Sequence, residues 1–204
     1  DMDGDGDFDI VTDRGVIYLN DGAATFPVTN TFAATNGHLA LGDLDGDQDL
    51  DIVAENGVIH FNNGAAAFPV TTTFASRGGD VAVGDMDSDG DLDIVAGPAD
   101  IFVYPNSGGV FTETLWVGYF WEWVESIAIA DMNSDGNLDI VTGNWGENGT
   151  ANGILFNQGR GEYRGIDYSI GAYHTNSVAI GDLDNDGDLD IVEGNWRVSD
   201  AIYL

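Results

Sequence analysis

Five nine-residue stretches hold most of the side chains that could do chemistry. They read DMDGDGDFD (residues 1–9), DLDGDQDLD (43–51), DMDSDGDLD (85–93), DMNSDGNLD (131–139) and DLDNDGDLD (182–190). Each puts a carboxylate or an amide at positions one, three, five and nine. Calcium takes about six to eight hard oxygens in a flexible cage, and a short loop can supply them from alternate residues plus a backbone carbonyl. Positions one, three and five would aim side-chain oxygens at one centre. Position seven would add its carbonyl and position nine its carboxylate. Four copies have Gly at position six, where a tight turn suits a residue without a Cβ. Two like charges about 4 Å apart repel by ~4 kcal/mol at an effective dielectric near ~20. Four converging carboxylates therefore call for a cation. The plainer reading is a solvated acidic turn with splayed side chains, and five in-phase copies argue against it. Magnesium suits the pattern less, because it wants near-ideal octahedral geometry and fewer protein ligands. The copies are unequal. Gln48 replaces the turn Gly in the second, and Asn133 removes a ligand charge from the fourth. These two sites are expected to bind most weakly.

The elements that position these loops repeat with them. Copies start 42, 42, 46 and 51 residues apart, a period that signals a repeat architecture. Ile-Val follows every loop, a strand signal rather than a helix signal. Further strands are expected at 16–19 and 58–61, with a last strand near 25–28 and 67–70. Strands at 38–42, 80–84, 126–130 and 177–181 precede four of the loops. They alternate large apolar residues with Ala40, Ala82 and Ala128. A narrow Ala face suits the crowded axis of a radial structure. One unit thus has four short strands with a metal loop between the first two. The expected fold is all-β, a β-propeller of four-stranded blades. About five repeats are present, at 1–37, 38–79, 80–125, 126–176 and 177–204. The first lacks its opening strand and the last lacks its fourth.

On these residues, the chain resembles the FG-GAP/VCBS-type repeats. They are the calcium-bearing blades of integrin α-subunit propellers, some fungal lectins and many bacterial surface proteins. The resemblance rests on the loops, the preceding V-A-I-G-D strand and the following D-I-V, and it covers nearly the whole chain. It implies calcium on the loop between the first two strands of each blade, about one ion per repeat. The implied side-chain ligands are Asp1, Asp3, Asp5 and Asp9; Asp43, Asp45, Asp47 and Asp51; Asp85, Asp87, Asp89 and Asp93; Asp131, Asn133, Asp135 and Asp139; and Asp182, Asp184, Asp186 and Asp190. The carbonyls of Asp7, Asp49, Asp91, Asn137 and Asp188 would join them. Members commonly close with seven blades. The chain is thus expected to be part of a longer propeller or of an assembly of incomplete rings. Open blade edges would then invite self-association.

Composition narrows the partners. There are 36 acidic residues against five Arg and no Lys, for a formal charge of −31. Five acids in each of four loops and three in the other make 23 inside the repeats. Five calcium ions would leave −21, still hostile to nucleic acid and to anionic membranes. There is no Cys, and no apolar run long enough to span a membrane. Weak calcium sites fill where calcium is millimolar, so an extracellular or cell-surface setting is expected. The chain does not begin with Met and opens inside a loop, as a processed or truncated piece would.

Outside the loops the sequence offers less. Trp145 and Trp196 share one repeat position, Gly-Asn-Trp after the second strand. With Asn144, Asn195 and Arg197 they could form a stacking platform for a glycan or protein ligand. The competing reading buries both rings between neighbouring blades. The run from Trp116 to Trp123 reads as packing between blades. His38, His60 and His174 are scattered, and a lone His on a strand is usually a satisfied side chain. No nucleophile–base–orienter set is visible, so no catalysis is expected. Asn148-Gly149-Thr150 is a single glycosylation sequon. The sequence thus points to a calcium-stabilised recognition or adhesion module. The alternatives are a non-catalytic part of a secreted polysaccharide-active enzyme and a structural surface or filament protein.

Overall fold

Strand alternation sends the Ile-Val pair after each loop to opposite faces, and this sets the architecture. Ile52 and Val53 are both fully buried, yet in different cores. Ile94 and Val95 divide in the same way, as do Ile140 and Val141. Each Ile faces the preceding sheet and each Val the following one.

The computed structural model describes residues 1–111, 115–119, 123–145, 151–159, 162–163, 168–171 and 174–204. Among these are five antiparallel sheets and no helix. The first sheet holds β1 (Ile10–Val11), β2 (Val16–Leu19) and β3 (Val28–Thr31). The second holds β4 (Leu39–Gly42), β5 (Asp51–Ala54), β6 (Val58–Phe61) and β7 (Val70–Thr73). The third holds β8 (Asp80–Gly84), β9 (Asp93–Gly97), β10 (Asp100–Tyr104) and β11 (Leu115–Tyr119). The fourth holds β12 (Trp123–Ala130), β13 (Asp139–Trp145), β14 (Asn152–Leu155) and β15 (Tyr168–Ile170). The fifth holds β16 (Thr175–Gly181), β17 (Asp190–Asn195) and β18 (Ala201–Tyr203). Strands within each sheet pair in chain order.

Four apolar cores separate the five sheets in series. Ile17 and Leu19 meet Ile52 in the first core, and Ile59 and Phe61 meet Ile94 and Tyr104 in the second. Val95 and Val103 meet Ile127 and Ile140 in the third, and Val141 and Ile154 meet Ile191 in the fourth. First strands also lie side by side, β4 with β8, β8 with β12 and β12 with β16. Two glycines permit that approach. A Cβ on Gly42 would meet Leu92 Cδ1 at 2.8 Å, and one on Gly84 would meet Leu138 Cδ1 at 3.0 Å.

Two sequence readings are corrected here. The small residues Ala40, Ala82 and Ala128 face the core shared with the next sheet, so they admit a neighbour's side chains rather than mark an axis. The last strands of the first two sheets start three residues later than expected. Pro27 and Pro69 have no N–H to give a ladder, and each strand begins just after its Pro. The freed Phe68 packs into the first core instead. Trp121, Tyr173, the sequon and much of the long loop at 143–153 lie outside the described residues.

In the first and fifth sheets the outward equivalents of core positions are exposed. Ile10 and Tyr18 occupy the positions of Ile52 and His60 but are 48% and 39% exposed. At the other end, Ile202 occupies the position of Val103 and is 60% exposed.

Candidate functional site

Backbone hydrogen bonds shape each acidic loop before any ion is considered. Position one accepts the amides wrapped around it: Gly4, Asp5 and Gly6 all donate to Asp1, and Gly46, Asp47 and Gln48 to Asp43. Position five accepts the N–H of position seven in all five copies, through Asp5, Asp47, Asp89, Asp135 and Asp186. The loop needs two left-handed residues, not one. Position six has positive φ throughout, including Gln48 at 77°. Position four does too, at Gly4, Gly46, Ser88, Ser134 and Asn185. Three of those five are not Gly, so the sequence carried no signal there.

The wrapped loops bring carboxylates together. Oxygens of Asp43, Asp45 and Asp51 lie within 4.8 Å of one another, as do those of Asp85, Asp87 and Asp93, and of Asp182, Asp184 and Asp190. In the first loop the convergent set is Asp1, Asp3 and Asp5. The fourth loop keeps the same backbone bonds around Asp131 and Asp135, with Asn133 at position three. Asp3 Oδ1 is buried with no hydrogen-bond donor. Burial first, then the neighbouring carboxylates, raises the pKa of Asp45 and Asp87. Burial pushes Asp51, Asp93 and Asp139 up to about 6, although each accepts two backbone N–H groups. An all-oxygen donor set with an orphaned buried oxygen fits a hard divalent cation.

Position seven behaves differently. Asp91 accepts the N–H of Gly108, and the carboxylates of Asp7 and Asp49 lie against Gly22 and Gly64. These side chains lean on the turn after the third strand of each repeat. Any contribution of these residues to an ion would come from the backbone carbonyl expected above.

The sequence reading missed a set of asparagines. Asn62, Asn106 and Asn157 follow the third strand of their repeats and are 4%, 4% and 1% exposed. Each donates its backbone N–H to position nine of its own loop, at 2.8 Å to Asp51, Asp93 and Asp139. Each side-chain amide donates to the position-two carbonyl of the preceding loop: Met2 at 2.8 Å, Leu44 at 2.8 Å and Met86 at 2.7 Å. Position nine also accepts the N–H of position two in its own loop, as Asp51 does from Leu44 at 2.9 Å. One hydrogen-bonded chain thus joins the first four loops across three sheet boundaries. The recurrence of Asn after that strand was the available signal.

A second feature lies at the far end of the same hairpins. In the fourth sheet the first hairpin runs two residue pairs further than in the third, and in the fifth sheet one pair further. A bulge separates the extra pairs, opposite Glu125 in β12 and Asn176 in β16. Trp123 pairs with Trp145 beyond the first bulge. Beyond the second, Trp196 donates its N–H to the His174 carbonyl. Glu125, Trp145, His174, Asn176 and Trp196 line a cavity of about 390 Å³. The Trp145 and His174 rings lie 4.2 Å apart, and His174 and Trp196 6.1 Å, with tilts of 31° and 35°.

This revises the expected platform. Trp145 and Trp196 stay about half exposed, as do Trp123 and Trp116, so none of them fills a gap between sheets. Asn144 is fully buried and donates to the Ala151 carbonyl. Asn195 donates to Ser199 and accepts from the Thr175 hydroxyl. Both asparagines are framework. Arg197 stands over the Trp196 ring at 5.3 Å. His174, expected to be an isolated strand residue, is part of the cavity. His60 is buried between Phe32 and Phe68, and burial lowers its pKa. His38 pairs with Asp80 at 2.9 Å.

No protein-family model matches the chain, and no curated protein matches it. Among solved structures, it is similar to the V. cholerae biofilm matrix protein Bap1, with a TM-score of 0.48 and 21% identity. That match covers 95% of this chain, which spans about a third (33%) of the Bap1 chain.

Proposed function

We propose that the protein is a calcium-stabilised extracellular recognition or adhesion module whose sheets are the blades of a propeller. The carrying observation is the convergence of three carboxylates within 4.8 Å in four equivalent loops. Calcium at each loop would be held by positions one, three, five and nine, with the position-seven carbonyl completing the set. Its role is structural. Position two of a loop enters the core with the next sheet, and position eight enters the core with the preceding one. Met86 and Leu92 show this in the third and second cores. A filled loop therefore anchors two cores at once, and its binding energy adds to folding energy. Serial face-to-face sheets with adjacent first strands support the propeller reading. The recognition role rests on the exposed aromatic cavity, set away from the metal corners.

The test is thermal unfolding with calcium or with chelator, beside calorimetric calcium titration. The expected result is four or five bound ions and a large fall in melting temperature on chelation. At about 100 times Kd, one site contributes ~2.7 kcal/mol. Unchanged melting and no calcium uptake at millimolar concentration would overturn the reading.

Exposed Ile10 and Tyr18 at one end, and Ile202 at the other, favour a second reading as an assembly protein. The faces are complementary, because each displays what its counterpart buries inside the chain. Light scattering of calcium-loaded protein tests it: growth with concentration supports assembly, and a strict monomer refutes it.

A further inference from the structure

We propose that the cavity between the ends of β12–β13 and β16–β17 binds a neutral pyranose oligosaccharide. The inference rests on the recognition reading above and names the ligand class for it. Strand length places the cavity away from the ions. Trp145 lies six residues along β13 from Asp139 in the metal loop, about 20 Å at ~3.3 Å per residue.

Three observations select the ligand. The first is exposed aromatic surface held by a rigid frame. Trp123 and Trp145 are 54% and 46% exposed on paired strands, and Trp196, 50% exposed, directly follows β17 and is held by its backbone N–H bond to the His174 carbonyl. Exposed apolar surface rimmed by polar groups marks a binding site. Beneath it, buried Asn152 donates to Thr175 and Glu193, and Thr175 donates to Asn195. That network fixes the strand ends carrying the rings, so little ordering remains to be done on binding.

The second observation is the polar complement. Both bulges place a hydrogen-bonding side chain at the cavity: Glu125 supplies acceptors, and Asn176 supplies donors and an acceptor. A pyranose is amphipathic in the same way, with a C–H face for an indole and hydroxyls that both donate and accept. A cavity of about 390 Å³ holds one or two sugar rings.

The third observation is charge and ring geometry, which remove the alternatives. A net charge of −31, still −21 with five calcium ions bound, and Glu125 at the cavity disfavour uronates, sulfated sugars and phosphates, while the neighbouring Arg197 is held over the Trp196 ring. A quaternary ammonium ligand wants rings turned inward around one point. Here the rings follow one another at tilts of 31° and 35°, a leaning row and not a box.

The experiment uses calcium-loaded full chain with cellotriose, mannotriose and galactotriose, followed by tryptophan fluorescence and saturation-transfer NMR. Tri-galacturonate and choline are the charged comparators. Binding of at least one neutral trisaccharide is expected, with Kd on the order of 0.1–1 mM. Trp196→Ala and Trp145→Ala should each weaken it about tenfold or more. Glu125→Gln should weaken it less, and all three should keep wild-type calcium uptake and melting. Three results would overturn the proposal: no neutral trisaccharide binding at about 10 mM, binding unaffected by both Trp substitutions, or tighter binding of choline or tri-galacturonate. Calcium uptake is read on the same samples, so loss of sugar binding with intact uptake sinks this inference alone.

Discussion

Replacing Asn106 by Ala tests whether the loops are joined into one structure or stand alone. The Asn106 amide donates to Leu44 in the preceding loop at 2.8 Å and to Leu92 in its own at 3.0 Å. Its oxygen accepts the N–H of Gly109 at 2.9 Å. Ala keeps the backbone bond to Asp93 and strands the other three groups. A buried polar group without a partner costs about 1–3 kcal/mol. Three such groups, partly rehydrated at the loop edge, give a loss on the order of 3–5 kcal/mol. Net stabilities are about 5–15 kcal/mol, so the loss would be conspicuous. The control is Asn20→Ala. Asn20 has the same place in the first repeat, but its side chain donates only to Phe8 at 3.2 Å and accepts only from Gly22 at 3.2 Å, both within its own repeat and near solvent. Water can replace both bonds, and about 0.5–1 kcal/mol is expected. Urea unfolding in excess calcium reads both. With a denaturant slope of about 2 kcal/mol/M, Asn106→Ala should lower the midpoint by ~1–2 M and Asn20→Ala by under ~0.5 M. Calcium titration should show weakened second and third sites in Asn106→Ala and an unchanged fifth. Equal losses in the two variants would refute the argument, because a bond between loops would then count no more than one within a loop.

Two further outcomes follow from the loop geometry. Gln48 holds φ 77° where the other copies have Gly, so Gln48→Gly should add about 1 kcal/mol of stability and tighten the second calcium site; a flat response in melting and in titration would show that the loop carries no strain there. Position nine gives a pH dependence, because burial raises Asp51, Asp93 and Asp139 from 3.8 to about 6 in the folded, ion-free chain. The folded chain then holds protons that the unfolded chain releases, so ion-free stability falls as pH rises from about 4 to about 6. Calcium must displace the same protons. A group with a pKa near 6 is about one-tenth ionised at pH 5, so affinity at these loops should drop about tenfold between pH 7 and pH 5, and pH-independent titrations would contradict it.

What the sequence made legible was set by how locally each feature is encoded. The acidic loops are local, nine residues with a strict alternation, so their positions and the strands beside them could be read directly. Residues 16–19, 58–61 and 80–84 form strands with the expected limits, because alternation and flanking turns agree there. Strand ends beside Pro27 and Pro69 were misplaced because Phe26 and Phe68 look like strand residues, while the Pro that follows cannot join the ladder. The direction in which Ala40 and Ala82 face was hidden, since alternation gives two faces but not which neighbour each meets. The asparagine chain was hidden for a stronger reason. Asn106 reads locally as a turn residue, and its decisive partner, Leu44, is 62 residues away. The aromatic cavity was half legible. Gly-Asn-Trp recurs, but Glu125, His174 and Asn176 join it only through two bulges that shift register.

The placement of the acidic corners and the asparagines also bears on why short sheets suffice here. A four-residue strand buries little by itself, and an isolated sheet of such strands is marginal. Each corner ties residues of three sheets. Position two reaches forward, position eight reaches back, and position nine holds the asparagine that spans to the loop before. For the third loop those residues are Met86, Leu92 and Asp93 with Asn106. An ion that fixes positions one, three and nine therefore fixes two apolar contacts and one bond to the previous loop together. Stability gained at one corner is shared with its neighbours, as nearest-neighbour terms are in repeat arrays. Acid density and short strands are thus two sides of one arrangement: 19 of the 36 acids sit at positions one, three, five and nine, where a cation would turn their repulsion into the joint between sheets.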